Sequence, residues 1–210
     1  MSGFTFLLEA FTLLMGLAMA EVLRGFARVL KLRARRKAGI DPDAARIRIG
    51  WLVPLLGLFV IFDQSTFFLH MYGLREQLVF NAGSVIGILV LIGWYYLVAS
   101  LVFPDEPRDW PDFDRWYWQQ KRWVLGGVLG INVLATIAAT LVMPAGYQEE
   151  MAASLSPAFL IASLFAMMVF PALIALMFTK RAWLDTVLLG LCISVSLVFA
   201  VLTIGEVQPG

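Results

Sequence analysis

Ionisable side chains inside apolar stretches are costly to bury in hydrocarbon, so they are the first place to look for chemistry. Three stand out in this chain: Glu9, Asp63 and His70, with Asn132 and Thr136 as further polar groups in an apolar run. Two carboxylates and an imidazole at comparable depth suit a proton or cation site. Asp63 and His70 are seven residues apart and share one helix face, with Thr66 between them. Counted inward from one membrane face at 1.5 Å per residue, Glu9 is roughly 7 Å deep, Asp63 roughly 13 Å and His70 roughly 3 Å. Glu9 therefore lies between the levels of the other two. Leaving two carboxylates in lipid is unfavourable, so both are expected to turn inward and share a proton or hold a cation. The plainer alternative is that each carboxyl hydrogen-bonds to a neighbour such as Gln64, a hydroxyl or a Trp N–H.

Other chemistries are excluded by count. One histidine makes neither a His cluster nor a bis-His haem site, and neither HExxH nor a Cys/His zinc set is present. Lys31, Lys37, Lys121 and Lys180 all lie outside the apolar windows, so no mid-membrane Schiff-base lysine exists. Ser65, His70 and Asp63 sit on one helix and cannot assemble a triad. The lone Cys192, among Leu and Ile, reads as a small core hydrophobe. No catalytic residue, metal ligand or cofactor is assigned, and an enzyme is not expected.

The elements that must hold these groups are membrane spans. Apolar residues make up 60% and charged residues 15% of the 210, and mean hydropathy is +0.82. A soluble domain carries roughly 45–50% and about 25%. The excess falls in six windows: Phe4–Leu23, Ile49–Tyr72, Leu78–Phe103, Trp123–Met143, Ala158–Thr179 and Ala182–Ile204. Each is long enough for a hydrocarbon core about 30 Å thick. None alternates as a membrane strand would, which excludes a β-barrel. The composition also excludes a nucleic-acid-binding domain. The net charge of +1 is uninformative, but its placement is not. Fifteen basic residues fall in alternate connections and one, Arg75, in the others. Basic connections stay cytoplasmic, so both termini are expected on the non-cytoplasmic side, in a bacterial inner membrane. Ala18-Met19-Ala20 resembles a signal-peptide cleavage site. The absence of a basic n-region and the presence of Glu9 favour an uncleaved first span.

Between the first two windows, Glu21–Lys37 is rich in helix formers, Gly39 is a stop, and Asp41-Pro42 is a start. These features predict a cytoplasmic helical extension of the first hairpin, with spans one and two as antiparallel neighbours. Arg24, Arg28, Lys31 and Arg35 follow one helical face. They suit a dock for anionic lipid or an acidic partner, or else serve only as a solvated topology anchor. Glu21 and Asp185 lie near the cytoplasmic ends of their spans with Arg24 and Arg181 within reach, so they are expected to snorkel or to pair. Asp112–Trp123, with Trp116, Tyr117, Trp118 and Trp123, predicts a short interfacial helix. Gly16/Ala20, Gly83/Gly87 and Gly126/Gly130 have small-xxx-small spacing, read as bundle packing. Pro171 should kink the fifth span.

The sequence thus predicts an all-α polytopic membrane protein, a six-transmembrane-helix bundle forming one domain over 1–210. Short connections and sparse polar content favour a non-catalytic accessory or scaffold subunit of a larger inner-membrane complex. The alternative is a small ion channel or a proton- or cation-coupled transporter using Glu9 and Asp63. The expected partners are the lipid bilayer and other membrane subunits or a second copy, with no nucleic acid and no cofactor.

Overall fold

Backbone groups in apolar surroundings need partners within the chain, and a helix supplies them locally. In the computed structural model, which describes residues 3–40, 46–73, 81–142 and 157–206, the chain is built of helices. They are α1 (Gly3–Ala38), α2 (Leu52–Gly73), α3 (Ala82–Val102), α4 (Phe113–Val142), α5 (Pro157–Met167), α6 (Val169–Phe178) and α7 (Ala182–Glu206), with a 3-10 turn at Pro107–Asp109. The only β pairing among the described residues is an isolated bridge between Arg48 and Asp112. Five helices (α1, α2, α3, α4 and α7) are long and apolar enough to cross a membrane, which makes this a multipass integral membrane protein.

The fifth apolar window is not one helix but two. Pro171 has no N–H to give to the Met167 carbonyl and its ring crowds that turn. The chain breaks at Met168, whose N–H bonds to Phe165 O at 3.0 Å, and α6 resumes with Ala172 N–H on Met168 O at 3.2 Å. The expected kink is a one-residue turn at the middle of the window, where Met168 keeps right-handed helical backbone angles (φ −66, ψ −14).

α1 is continuous for 36 residues, about 54 Å at 1.5 Å per residue, so its Arg-rich end projects beyond the length of a span. It stops where expected. Gly39 adopts φ +66, Gly39 N–H bonds to Arg36 O and Ile40 N–H to Arg35 O, closing the last carbonyls as a Schellman cap. The expected start at Asp41-Pro42 lies outside the described residues, as do Arg75 and the connection 143–156.

One packing expectation is extended and another changes. α1 lies against α2 but packs more extensively on α3. The reason is a wedge: Phe103, just past α3, fills a slot where a Cβ on Gly25 of α1 or Gly57 of α2 would collide with its ring. Arg28 of α1 then ties down the following turn through Pro104 O (3.2 Å) and Asp105 O (2.7 Å). Second, Asp112–Trp123 is not a separate interfacial helix. α4 starts at Phe113 and runs unbroken, because nothing between Phe113 and Trp123 breaks a helix. Its start is fixed by Arg48, which exchanges backbone hydrogen bonds with Pro111 and Phe113.

Of the small-residue pairs, only Gly126/Gly130 packs inside the bundle, against Met177 and Trp94; Gly16 and Gly87 face open space. α3 and α4 approach closely at Gly127, where a Cβ would collide with Val98. The helices alternate in direction, which gathers Arg28, the turn after α3, Lys121 and the α6–α7 turn at one end, called here the basic end. Between the ends lies a core that includes Leu56, Phe59, Tyr95, Leu125, Leu173, Leu176 and Leu189, all at or near zero exposure.

Candidate functional site

Asp63 sits midway along α2, on the face turned into the bundle, and is 7% exposed. Helical packing brings two neutral donors to it from other helices. Tyr95 of α3 donates its phenol O–H to Asp63 Oδ2 at 2.7 Å. Asn132 of α4 donates its amide to Oδ1 at 3.1 Å and Oδ2 at 3.3 Å, and also to Val128 O at 3.0 Å, which anchors it on its own helix. No cation is paired with Asp63 among the described residues.

The carboxylate forms part of the wall of a cavity of about 190 Å³ shared with Thr66, His70, Asn132, Thr136 and Ser196. That is room for several waters or one small solute. Thr66 donates its hydroxyl to Asp63 O (2.9 Å) and Thr136 to Asn132 O (2.8 Å). Their hydrogens are thereby spent on backbone, leaving oxygen lone pairs free to accept. Met167 and Val169, on either side of the helix break, complete another wall. Irregular backbone at membrane depth is tolerated where it lines such a cavity, and here the break and the cavity coincide. His70 lies toward the end of α2 remote from the basic end and is exposed, so it stands nearer the surface on the same cavity.

The structure thus brings Asp63 and His70 to one cavity. It does not bring Glu9 there. Glu9 is exposed on α1, and no hydrogen bond or ion pair among the described residues joins it to Asp63. Gln64, the neighbour considered as a carboxyl partner, points elsewhere: it is fully buried, its amide has no hydrogen-bond partner, and it lines a groove with Gly16 and Met19 of α1. Within the expected basic face, Arg24 pairs with Glu21 at 2.9 Å, as anticipated, and Arg28 pairs with Glu21 at 3.2 Å. Lys31 and Arg35 are exposed.

A second buried carboxylate belongs to the basic end. Asp185, in the first turn of α7, is fully buried and pairs with Lys121 of α4 at 2.7 Å, itself only 3% exposed. The expected side-chain partner, Arg181, gives way to Lys121 because α4 reaches across the α6–α7 turn. Tyr117 donates to the same Oδ2 at 2.9 Å, Lys121 also donates to Thr179 O, and the ammonium lies 4.3 Å from the Trp118 ring centroid.

Sequence reasoning found Asp63 and His70 but missed Tyr95 and Lys121. A tyrosine in an apolar run reads as core, and a lysine before a span reads as a solvated charge. Compared with known proteins, the chain matches no family model, no curated protein and no solved structure, so the site rests on its own geometry.

Proposed function

We propose that this protein is a small proton- or cation-coupled transporter or channel, with Asp63 as the group that binds the coupling ion. One observation carries the reading: a mid-span carboxylate held by neutral donors, with no counter-cation among the described residues, opens on a cavity beside a kinked helix. A charge at that depth costs about 2.5–3.5 kcal/mol on insertion scales. Such a group is neutralised by a proton or a bound cation more readily than left bare. Helices interrupted at mid-depth are also how many transporters build their ion and substrate sites, and the one-residue turn at Met168 is a mild form of such an interruption. His70 serves as the entry group and Thr66, Thr136 and Asn132 as neutral oxygen ligands along the cavity.

In this reading α5 and α6 together make a sixth, discontinuous crossing. The basic end is cytoplasmic, in a bacterial inner membrane, and both termini lie on the other side. The reading is tested with purified protein in liposomes, following proton or monovalent-cation flux under an imposed gradient. Asp63→Asn keeps an acceptor for Tyr95 and removes the exchangeable charge, so flux should fall at least tenfold while the melting temperature stays close to the parent's. Unchanged flux in a folded Asp63→Asn would end the proposal.

The subunit reading retains one supporting observation. The face of α1 bearing Glu9, Leu13, Gly16, Leu17 and Ala20 is turned out of the bundle, and a carboxylate there gains by meeting a polar partner. Recovery of a stoichiometric second protein on gentle extraction would favour it.

A further inference from the structure

We propose that the cleft between the first turns of α4 and the α6–α7 turn binds the phosphate of an anionic phospholipid headgroup. The cleft has a volume of about 660 Å³. Trp118, Arg122 and Trp123 line it from α4, and Met177, Thr179 and Lys180 from the opposite side. This is not the basic face of α1, nor does it involve the Asp63 cavity.

The charges in the cleft are of two kinds. Lys121 forms part of its inner wall but is committed to Asp185. Arg122 and Lys180 are exposed, and neither forms a salt bridge with a carboxylate among the described residues. Arg122 donates Nε–H to Met177 O at 3.2 Å. That bond carries the guanidinium across the gap between α4 and α6 and leaves its terminal N–H groups for a ligand. A guanidinium fork matches phosphate oxygens in geometry, and an ammonium adds a point charge beside it. The cleft therefore offers two uncompensated positive charges around a neutral inner wall, which selects for an anion.

The indoles say which anion. Trp123 is 72% exposed at the level where the apolar part of α4 begins, and Trp118 stands one turn earlier, toward the basic end. Indole rings at that position favour the headgroup zone of a bilayer. A phosphate bound there would keep its glycerol beside the indoles and its chains along the apolar surface of α4 and α6. A soluble phosphate ester would use the same two cations but gain nothing from the indoles or that surface.

The test is native mass spectrometry of the purified full chain titrated with phosphatidylglycerol or with phosphatidylcholine of the same acyl chains. We expect preferential retention of phosphatidylglycerol. Arg122→Gln with Lys180→Gln should weaken it roughly thirtyfold, at about fivefold per cation near an anionic surface. Arg36→Gln with Lys37→Gln, which removes the same charge from the exposed end of α1, should leave it unchanged. Both pairs lie on exposed side chains, so thermal melts should show folded proteins. Equal retention of the two lipids, or equal weakening by the α1 pair, would overturn the site. Displacement of the lipid by millimolar glycerol phosphate or inorganic phosphate would overturn the lipid as occupant and assign the cleft to a soluble anion.

Discussion

Asp63 and Asp185 are both buried carboxylates that accept a tyrosine hydroxyl on Oδ2, yet their surroundings are opposite. Asp185 has a full counter-charge, Lys121, with both groups buried and an aromatic wall beside the ammonium. Asp63 has a phenol and an amide, and beyond them a cavity. A paired charge is fixed: moving a proton or exchanging a cation there would strand the lysine. A charge held only by neutral dipoles beside a cavity can change state without leaving an orphan. The same residue type thus serves as a latch at one level of the bundle and as a candidate ion-binding group at another, and the partner decides which.

The largest effect should come from breaking the latch. Lys121→Met leaves the Asp185 charge buried and unpaired, which costs about 3–5 kcal/mol. Unfolding followed by denaturant or heat in micelles should show a loss of that order. Replacing the whole network, Lys121→Met with Asp185→Leu and Tyr117→Phe, removes every orphan together and should restore stability to near the parent or above it. If the single and the triple variant are equally damaged, the pair is not what holds α4 to α7.

The two tyrosines sharpen the comparison at a smaller scale. Tyr117→Phe removes a hydrogen bond to a charged group in an enclosed site, a loss of about 1.5–3 kcal/mol. Tyr95→Phe removes the equivalent bond at Asp63, but there the cavity lets water replace the phenol, so the loss should stay near 1 kcal/mol, the level of an ordinary exchanged hydrogen bond. Its larger consequence should be on the flux carried by the parent, because the phenol orients the carboxylate. Melts of the two variants, run side by side, check this. Equal stability losses would mean that the Asp63 cavity is dry.

The spans were legible because apolar length is a local property. Leu52–Gly73 and Ala182–Glu206 fall within a few residues of their windows, and the Gly39 stop and the break before Pro171 follow from backbone chemistry that needs no neighbour. Asp63 was legible as an ionisable residue in a span. What surrounds it was not. Sequence spacing relates residues on one helix, so it pairs Glu21 with Arg24 correctly and offers Arg181 to Asp185. The true partner, Lys121, lies 64 positions earlier and is brought in by the crossing of α4 over the α6–α7 turn. Tyr95 reaches Asp63 only because Phe103, Gly25 and Gly57 set how α3 seats against α1 and α2, and nothing in the spacing of α3 announces that rotation. Glu9 illustrates the converse. Its depth in the sequence suited a meeting with Asp63, but depth leaves the angle around the helix free, and α1 turns that side outward.

The finest test of the comparison is access of small reagents, which changes no partner at either carboxylate. The one native thiol, Cys192, is buried at 1% exposure and should resist a small methanethiosulfonate reagent in the folded protein. Thr136 is exposed on the cavity, and among the described residues its hydroxyl bonds to the carbonyl of Asn132 on its own helix. Thr136→Cys removes a bond that competes weakly with helix geometry, so stability should change by less than about 1 kcal/mol. In a Cys192→Ala background this thiol should be labelled in reconstituted protein, and faster from the end bearing His70 than from the basic end. His70→Trp should slow labelling several-fold by filling that approach, with no change at Lys121 or Asp185. A thiol at 136 that labels as slowly as Cys192 would make the Asp63 environment as closed as that of Asp185, and the distinction between the two carboxylates would then rest on charge pairing alone.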